Sequence, residues 1–443
     1  MQDWKTYNSA VIGGGIAGLT AATLLARAGK SVILYERSSH LGGRAGSVVG
    51  NEFVFNQGPH ALYRGGGGME VLRELGVEFT GQVPGGKGMW ISVRGKLHKQ
   101  PGGIISLMAS QAFTISAKLE LSAFLAKLGQ LDVAQWNWVS LSQWLEERVK
   151  HEQVRQLVAA LCRVSTYANA PDLQSAGASL RQVQIALGAG VLYLDHGWQT
   201  LVGELRRAAA EAGVLLVVNQ AVHQIQPDGA GWAIGIEKDY ACRAESVVLA
   251  VPPAVAVALT RDTAGEIMAE SVKKMIPVEA ACLDIGLKRL PRPEHRFALG
   301  IDRPFYFSLH SAWAKLAPES GALIHAAKYL HPNQSNDAKA VECELEDWLE
   351  SIQPGWRNEL VVRRYLPKMR VYPALAMASA GGLVGRPGPV VTGVKNLFLA
   401  GDWVGDQGLL ADAALLSAKR AAQLVIRGES VQGCLTEAVG LYS

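Results

Sequence analysis

The sequence predicts an α/β protein in which a parallel-sheet domain, covered by helices, is interrupted by an inserted α+β domain. Three observations lead there. At 443 residues the chain is too long for one ordinary core. Its first fifty residues read as strand, glycine-rich turn, helix and second strand. Short apolar strands and amphipathic helices return at 197–253 and 396–425, with two dissimilar stretches between them.

The composition is that of a packed globular chain rich in tight turns: 49% apolar, 19% charged, with 48 scattered glycines. A formal net charge of +4 without any lysine/arginine block argues against a nucleic-acid partner. The five cysteines, Cys162, Cys242, Cys282, Cys343 and Cys434, are odd in number and widely spaced. Reduced thiols are expected, with no disulfide framework and no metal site. The opening "MQDWKTYNSA" has neither a basic nor an apolar leader region, so no signal peptide is expected. No run of about 20 uninterrupted apolar residues is present, so no spanning helix is expected and the location reads as cytoplasmic.

The elements of the first unit follow in order. Ala10 to Ile12 is the end of a buried parallel strand. Gly13, Gly15 and Gly18 form G-x-G-x-x-G. Ile16 to Ala28 is a helix closed by Gly29, and Ser31 to Tyr35 is a second strand ending on Glu36. Each glycine has a mechanical reason. Gly13 permits the tight turn, Gly15 lets a pyrophosphate approach the backbone, and Gly18 lets helix and strand pack closely. The helix N-terminus offers N–H groups and partial positive charge to phosphates. A carboxylate at Glu36 accepts hydroxyls of an adenosine ribose and repels a 2′-phosphate. The unit is Rossmann-like and binds a dinucleotide.

"ERSSHLGGRAG" then adds Gly42-Gly43-Arg44 six residues beyond Glu36, an element that NAD-dependent dehydrogenases do not need. This E-x5-G-G-R resembles the FAD-binding superfamily of flavin amine oxidases, protoporphyrinogen oxidase and carotenoid (phytoene-type) desaturases, the GR2-type flavoproteins. The resemblance implies FAD as cofactor. It places Gly13, Gly15, Ile16, Ala17 and Gly18 at the pyrophosphate, and Glu36 and Arg37 at the adenosine. Gly42, Gly43 and Arg44 would wrap the pyrophosphate and ribityl region, Arg44 as a charge-assisted donor. In "FNQGPHALYRGGGG", Gly58, Pro59, His60 and Ala61 resemble the loop that passes the flavin ring in desaturase-like members. His60 is the candidate for moving a proton, because an imidazole titrates near neutrality.

The block Gly197 to Pro253 reads as a helix from Thr200 to Ala212 ending at Gly213. Strands follow at Val214–Val218, Ala221–Gln226, Trp232–Ile236 and Val247–Ala250, then a helix opened by the prolines of "LAVPP". It resembles the family's middle cofactor block, in which backbone groups at the Val222 position hold the adenine. In "NLFLAGDWVGDQGLLADAALLSAKRAAQLV", Leu397 to Ala400 is a buried strand, and a helix starts at Leu410. The resemblance gives Gly401 and Asp402 to the ribityl and phosphate region. It aims the helix N-terminus at Leu410-Ala411 toward the flavin N1/C2 carbonyl, where positive potential favours reduced flavin. Many relatives hold FAD through a cysteine near this helix. None is present, Cys434 lying beyond it, so FAD is expected to be non-covalent. Residues 1–80, 197–265 and 390–443 form the expected FAD-binding domain; 81–196 and 266–389 form the substrate-binding domain.

The substrate side starts with a hairpin turning at Arg94-Gly95, then an apolar stretch, "IISLMASQAFTISAKLELSAFLAKLGQL". It reads as a buried helix pair or, by the sharper alternative, as a peripheral membrane contact. Helices are expected at 141–163 and 171–187. Strands are expected at "EAACLDIGL", "FYFSLH" and "ALIHAAKYL", and a helix at "AVECELEDWLESI". Tyr193, Trp198, Tyr306 and Trp403 are candidates for lining a tunnel, or else core. Amine oxidases of the resembling family place a lysine on the strand at Val278 to Leu287 and an aromatic near Leu410; this chain has neither. The favoured reading is therefore dehydrogenation or desaturation of a hydrophobic, isoprenoid-like substrate by hydride transfer to flavin N5. The alternatives are a flavin amine oxidase and a redox-neutral or structural flavoprotein. The partner is a hydrophobic small molecule, and a homodimer is compatible with the resemblance.

Overall fold

A computed structural model describes residues 4–236 and 239–429. The first sheet runs edge to edge as Leu215–Val217, Val32–Tyr35, Thr6–Ile12, Asp239–Leu249, Gly231–Ile236 and Val222–Asp228; Leu397–Leu399 also pairs with Asp239–Leu249. The pairings among the first four strands, and that of Leu397–Leu399, are parallel; the last two are antiparallel. Strand alternation divides the side chains between two cores. Val11, Leu34, Val248 and Phe398 pack with the helices Ile16–Arg27, Gln199–Glu211 and Leu410–Arg427. Ile12, Ile33, Leu249 and Leu399 pack with Pro253–Leu259 and Arg261–Lys273. Both faces are covered, so these strands read as continuous apolar runs.

The second sheet has the order Leu360–Tyr372, Val278–Leu287, Ala322–Tyr329, Phe305–Leu309, Phe297–Gly300, Met89–Val93 and Lys96–Lys99. One face, with Ala281, Leu283, Ile285 and Leu287, packs on the helix Ala338–Ile352. The other side of the same strand contributes Cys282 to a cluster with Tyr167, Tyr306, Tyr329, Tyr372 and Leu409. Leu409 immediately precedes the helix Leu410–Arg427, so this cluster joins the two sheets.

The predicted elements hold with two differences in their bounds, and several further elements appear that the sequence reading did not include. The helix expected at 141–163 is two helices, Leu141–Arg148 and Glu152–Thr166. Between them the Glu120 carboxylate accepts hydrogen bonds from the backbone N–H groups of Lys150 and His151, at 2.7 and 2.9 Å, and so caps the second helix from a distance. The helix expected from 171 starts at Ala176, where Ser175 accepts from the Ala178 N–H. The strand Leu360–Tyr372 went unread, because its charged residues and its proline hide a half-exposed strand. The hairpin turns at Arg94-Gly95, both at positive φ (51° and 73°) as a type I′ turn demands. Ile104–Ala109 and Ile115–Leu128 are helices, but the buried reading holds for one side only. Leu107, Ala117 and Leu121 are buried, whereas Ile105, Ile115 and Leu119 are 89, 70 and 61% exposed.

One buried ion pair ties the second sheet to the Asn56 region. Asp284 is fully buried and accepts from Arg364 Nε at 2.8 Å, His325 Nδ1 at 2.5 Å and Cys282 Sγ at 3.0 Å. Arg364 also donates to the Asn56 carbonyl. Burial alone would raise the Asp284 pKa, but its three partners bring the net direction down. A depressed native pKa stabilises the fold above the unfolded value of about 4, and this is lost as pH falls through the native value. Arg364→Met leaves the carboxylate buried without its cation. It is expected to cost about 3–5 kcal/mol in urea unfolding and to move acid unfolding to higher pH. An unchanged midpoint and acid limb would show the pair to be dispensable.

Candidate cofactor and active site

The glycines of the first turn divide by what surrounds them. Gly13 has φ 108°, and a Cβ there would collide with the Ala250 carbonyl oxygen; a Cβ on Gly18 would collide with the Gly13 carbonyl oxygen. Packing within the chain requires both. Gly15 differs: it is extended (φ −75°), and a Cβ would meet only the Gly42 carbonyl oxygen, at 3.9 Å. Gly43, whose Cβ would meet only Gly15 Cα at 3.9 Å, faces the same opening. The helix beginning at Ile16-Ala17 has no side-chain N-cap, so its first N–H groups are left for an acceptor. An open glycine-walled space at an uncapped helix N-terminus fits a pyrophosphate.

Glu36 lies just past the strand Val32–Tyr35. Its Oε2 accepts from the Gly14 N–H at 2.7 Å and its Oε1 from the Ser38 N–H at 2.8 Å. Its carbonyl accepts from the Gln220 N–H at 3.0 Å, which brings Val222, first residue of its strand, toward the same end of the sheet. Arg37 is exposed. Arg44 donates to both oxygens of Asp402, at 2.6 and 2.8 Å, and to the Val371 carbonyl at 2.6 Å. The structure thus brings together Arg44 and Asp402, expected separately at the pyrophosphate, as a bidentate pair.

Gly58 turns at φ 79° against Cys282 and Met369. The Pro59 carbonyl accepts from the Tyr167 hydroxyl at 2.9 Å. His60, the proton-transfer candidate, has Nδ1 3.1 Å from the Gly58 carbonyl and Nε2 3.1 Å from the Arg44 carbonyl, with Trp198 edge-on at 5.1 Å. Burial, and then the nearby charge of His325, push its pKa down to about 4, so near neutrality the ring holds one N–H and can satisfy only one carbonyl. That geometry braces the Gly58–Ala61 loop against the Gly-Gly-Arg turn.

Gly401 (φ 146°) leads to Asp402, and Leu410 (φ 58°) opens the C-terminal helix, followed by Ala411 and Asp412. Asp412 is buried. Its Oδ1 accepts from the Gly68 N–H at 3.1 Å, its Oδ2 has no partner, and burial raises its pKa to about 6. A Cβ on Gly66 or Gly68 would collide with this carboxyl, which accounts for two of the four glycines at 65–68; on Gly65 it would crowd Ala189 and on Gly67 Leu416.

Over the start of this helix lie Tyr167, Tyr306, Tyr329, Tyr372, Leu375 and Leu409, all buried. Tyr329 meets Tyr167 and Tyr306 nearly edge-on, with ring centroids 6.0 and 6.5 Å apart. A narrow gap of about 10 Å³ between Thr166, Gln174, Tyr372, Leu375 and Leu409 adjoins them. Of the other tunnel candidates, Tyr193 stacks on His310 at 3.9 Å and hydrogen-bonds Tyr306, whereas Trp403 is core, donating to the Val251 carbonyl. Cys282, Asp284 and His325 have metal-ligand atoms within 4.8 Å of one another. Their separations of 2.5 and 3.0 Å are hydrogen bonds, and Arg364 already sits on the carboxylate, so the set reads as an ion-pair network. Sequence reasoning missed this network and Arg386. A lone aspartate inside "AACLDIGL" was the available signal for the first; a loop arginine gave none.

Residues 16–426 match the family described as "Flavin containing amine oxidoreductase". The chain belongs to this family, and its cofactor is FAD, which the open glycine cradle fits. It is 27% identical over 271 residues to the Dictyostelium discoideum protein described as "Probable flavin-containing monoamine oxidase A", covering 56% of this chain and 58% of that one. The chain thus spans somewhat over half the length of this curated relative. A 59-residue segment is 46% identical to a carotenoid 3,4-desaturase of Haloarcula japonica, 13% of this chain and 12% of that one. The fold is shared with putrescine oxidase bound to putrescine (TM-score 0.75, 16% identity, 95% of this chain and 99% of that one). It is shared too with cyclohexylamine oxidase of Brevibacterium oxydans (TM-score 0.70, 16% identity, 95% and 99%).

The two kinds of glycine are separable by experiment. Gly18→Ala is expected to lose on the order of 1–3 kcal/mol of stability through overpacking. Gly15→Ala should cost no more than about 1 kcal/mol, the loss of a good N-cap residue, yet bind FAD at least about tenfold more weakly. Parent-like FAD affinity in Gly15→Ala, by fluorescence titration of the apoprotein, would remove Gly15 from the phosphate site.

Proposed function

We propose that the protein is an FAD-dependent oxidoreductase that dehydrogenates a hydrophobic, isoprenoid-like substrate. The observation that carries this reading is the apolar character of the helix start. Leu409 and Leu410 stand there, and the facing strand Val278–Leu287 presents Cys282 and no lysine; Lys288 follows its end, its backbone N–H donating to the Glu359 carbonyl at 2.8 Å. Bound FAD supplies the acceptor of a hydride equivalent at N5. The chain's own residues hold and enclose. Gly15, Gly43 and the helix at Ile16 offer amides to the phosphates, and Glu36 faces the ribose. Tyr167 anchors the Pro59 carbonyl, and buried tyrosines and leucines exclude water from the reacting carbon. FAD is held without a covalent bond; no described residue of the helix Leu410–Arg427 is a cysteine.

A second reading, oxidation of a lipophilic amine, draws on the near-perpendicular Tyr167, Tyr329 and Tyr306, whose ring faces could flank a substrate nitrogen. Anaerobic mixing of the yellow holoprotein with polyene precursors and with amines separates the two. Bleaching of the visible flavin band by polyenes alone supports the first reading. Bleaching by amines alone replaces it with the second, and no bleaching by either favours a redox-neutral role.

A peripheral membrane contact belongs to the same proposal. Ile105, Met108, Ile115, Leu119 and Leu125 are exposed on the helix pair, and the buried Lys118 ammonium ties the pair together by donating to the Met108 carbonyl at 2.7 Å. No helix among the described residues is long and apolar enough to cross a membrane, so such contact would lie in the interface. The parent is expected to float with lipid vesicles, and the double variant Ile105→Glu/Ile115→Glu to lose at least about tenfold in partitioning. Equal flotation of the two would exclude this face.

A further inference from the structure

The segment between Asp402 and the C-terminal helix is held by one side chain. Arg386 is 8% exposed. Its Nε donates to the Gly405 carbonyl at 2.7 Å and its Nη1 to the Asp402 carbonyl at 3.2 Å. Its Nη2 donates to the carbonyls of Gln407 and Gly408 at 3.2 and 2.9 Å. All four acceptors belong to a single loop. A planar fork with fixed donor directions can gather them; a point-charge ammonium cannot. The loop turns through Gly405 and Gly408, free to take positive φ (81° and 67°), and ends on Leu410, a non-glycine held at φ 58°, a strained conformation that the surrounding structure must enforce.

The charge of Arg386 is as notable as its geometry. It makes no carboxylate hydrogen bond among the described residues. Three titratable groups act on it: Asp402, Tyr372 and Asp406. Both oxygens of Asp402 are committed to Arg44, Asp406 is exposed, and burial keeps Tyr372 neutral. Burial lowers the Arg386 pKa only to about 10, so the guanidinium remains charged at neutral pH. Arg44 and Asp402 cancel, and the remaining carboxylate of the loop, Asp406, is exposed to solvent, so Arg386 is the buried cation of the loop that leads into the helix, where the helix dipole acts in the same sense. Asp412, in the first turn, opposes this field when it ionises above about pH 6.

We propose that Arg386 is a positioning residue for the flavin: it shapes the 402–408 loop so that the helix start faces the cofactor, and its buried charge favours the reduced, anionic flavin over the oxidised one. This rests on the FAD assignment above and concerns a residue that does not touch the reacting atoms.

The test uses the holoprotein, with Arg386→Lys and Arg386→Met. The flavin midpoint potential is measured by dye equilibration, and FAD release by fluorescence. Arg386→Met is expected to lose at least tenfold in the preference for reduced over oxidised flavin, which for a two-electron couple is about 30 mV toward more negative potential. Arg386→Lys keeps the charge and loses the fork. It should keep that preference within about threefold while releasing FAD at least about tenfold faster. A parent-like potential in Arg386→Met overturns the electrostatic role; a potential in Arg386→Lys as low as in Arg386→Met overturns it equally. If Arg386→Met does not fold, Arg386→Gln, which also removes the charge, takes its place with the same expected shift and the same overturning result. A parent protein that bound no flavin would refute the cofactor assignment instead, before any variant was compared.

Discussion

A single guanidinium holds the two ends of the cofactor domain together. Arg44 sits on the Gly-Gly-Arg turn near the start of the chain, Asp402 on the loop near its end, and both Arg44–Asp402 hydrogen bonds are shorter than 3 Å. The same side chain reaches the Val371 carbonyl, on the longest strand of the second sheet. Three segments that share no local sequence are therefore fixed around one charge. Much else depends on that arrangement. The His60 ring spans from the Gly58 loop to the Arg44 carbonyl, and Arg386 binds the carbonyl of the very residue that Arg44 binds by its side chain. The carboxylate–guanidinium pair leaves little net charge of its own, so the field at the helix start is set by the groups around it.

Much of the cofactor domain was legible because its determinants are local. A fingerprint glycine, a strand of four consecutive apolar residues and a helix closed at Gly29 each announce themselves within a short window. The distinction between Gly15 and Gly18 was legible only as a family of roles. Which glycine serves internal packing and which leaves room for a ligand depends on atoms from Ala250 and Gly42 that no local window contains. The helix break at Val149 to His151 escaped for the same reason, since its cause is Glu120, thirty residues upstream. The strand Leu360–Tyr372 escaped because Arg363, Arg364, Pro367, Lys368 and Arg370 interrupt its apolar alternation.

The second sheet was legible in class and not in detail. Alternating and apolar runs gave three strands of the second sheet and its covering helix. They could not show that Cys282 and Asp284 point away from that helix, because a strand buried on both sides has no polar face to mark. The cluster around Leu409 is also less uniformly apolar than composition suggests: its tyrosines place hydroxyls among the leucines, and that of Tyr329 is buried without a partner among the described residues.

The long reach from Arg44 to Asp402 bears on how the protein is made. The parallel strand Leu397–Leu399 joins the sheet beside a partner laid down about 150 residues earlier, a late, high-separation closure that slows folding. A nascent chain holds the glycine turn from the first seconds of synthesis, but the opposite wall of the cradle does not exist until residues beyond 400 leave the ribosome. Flavin capture is thereby coupled to completion of the polypeptide, and prematurely terminated chains would emerge unable to retain the pigment.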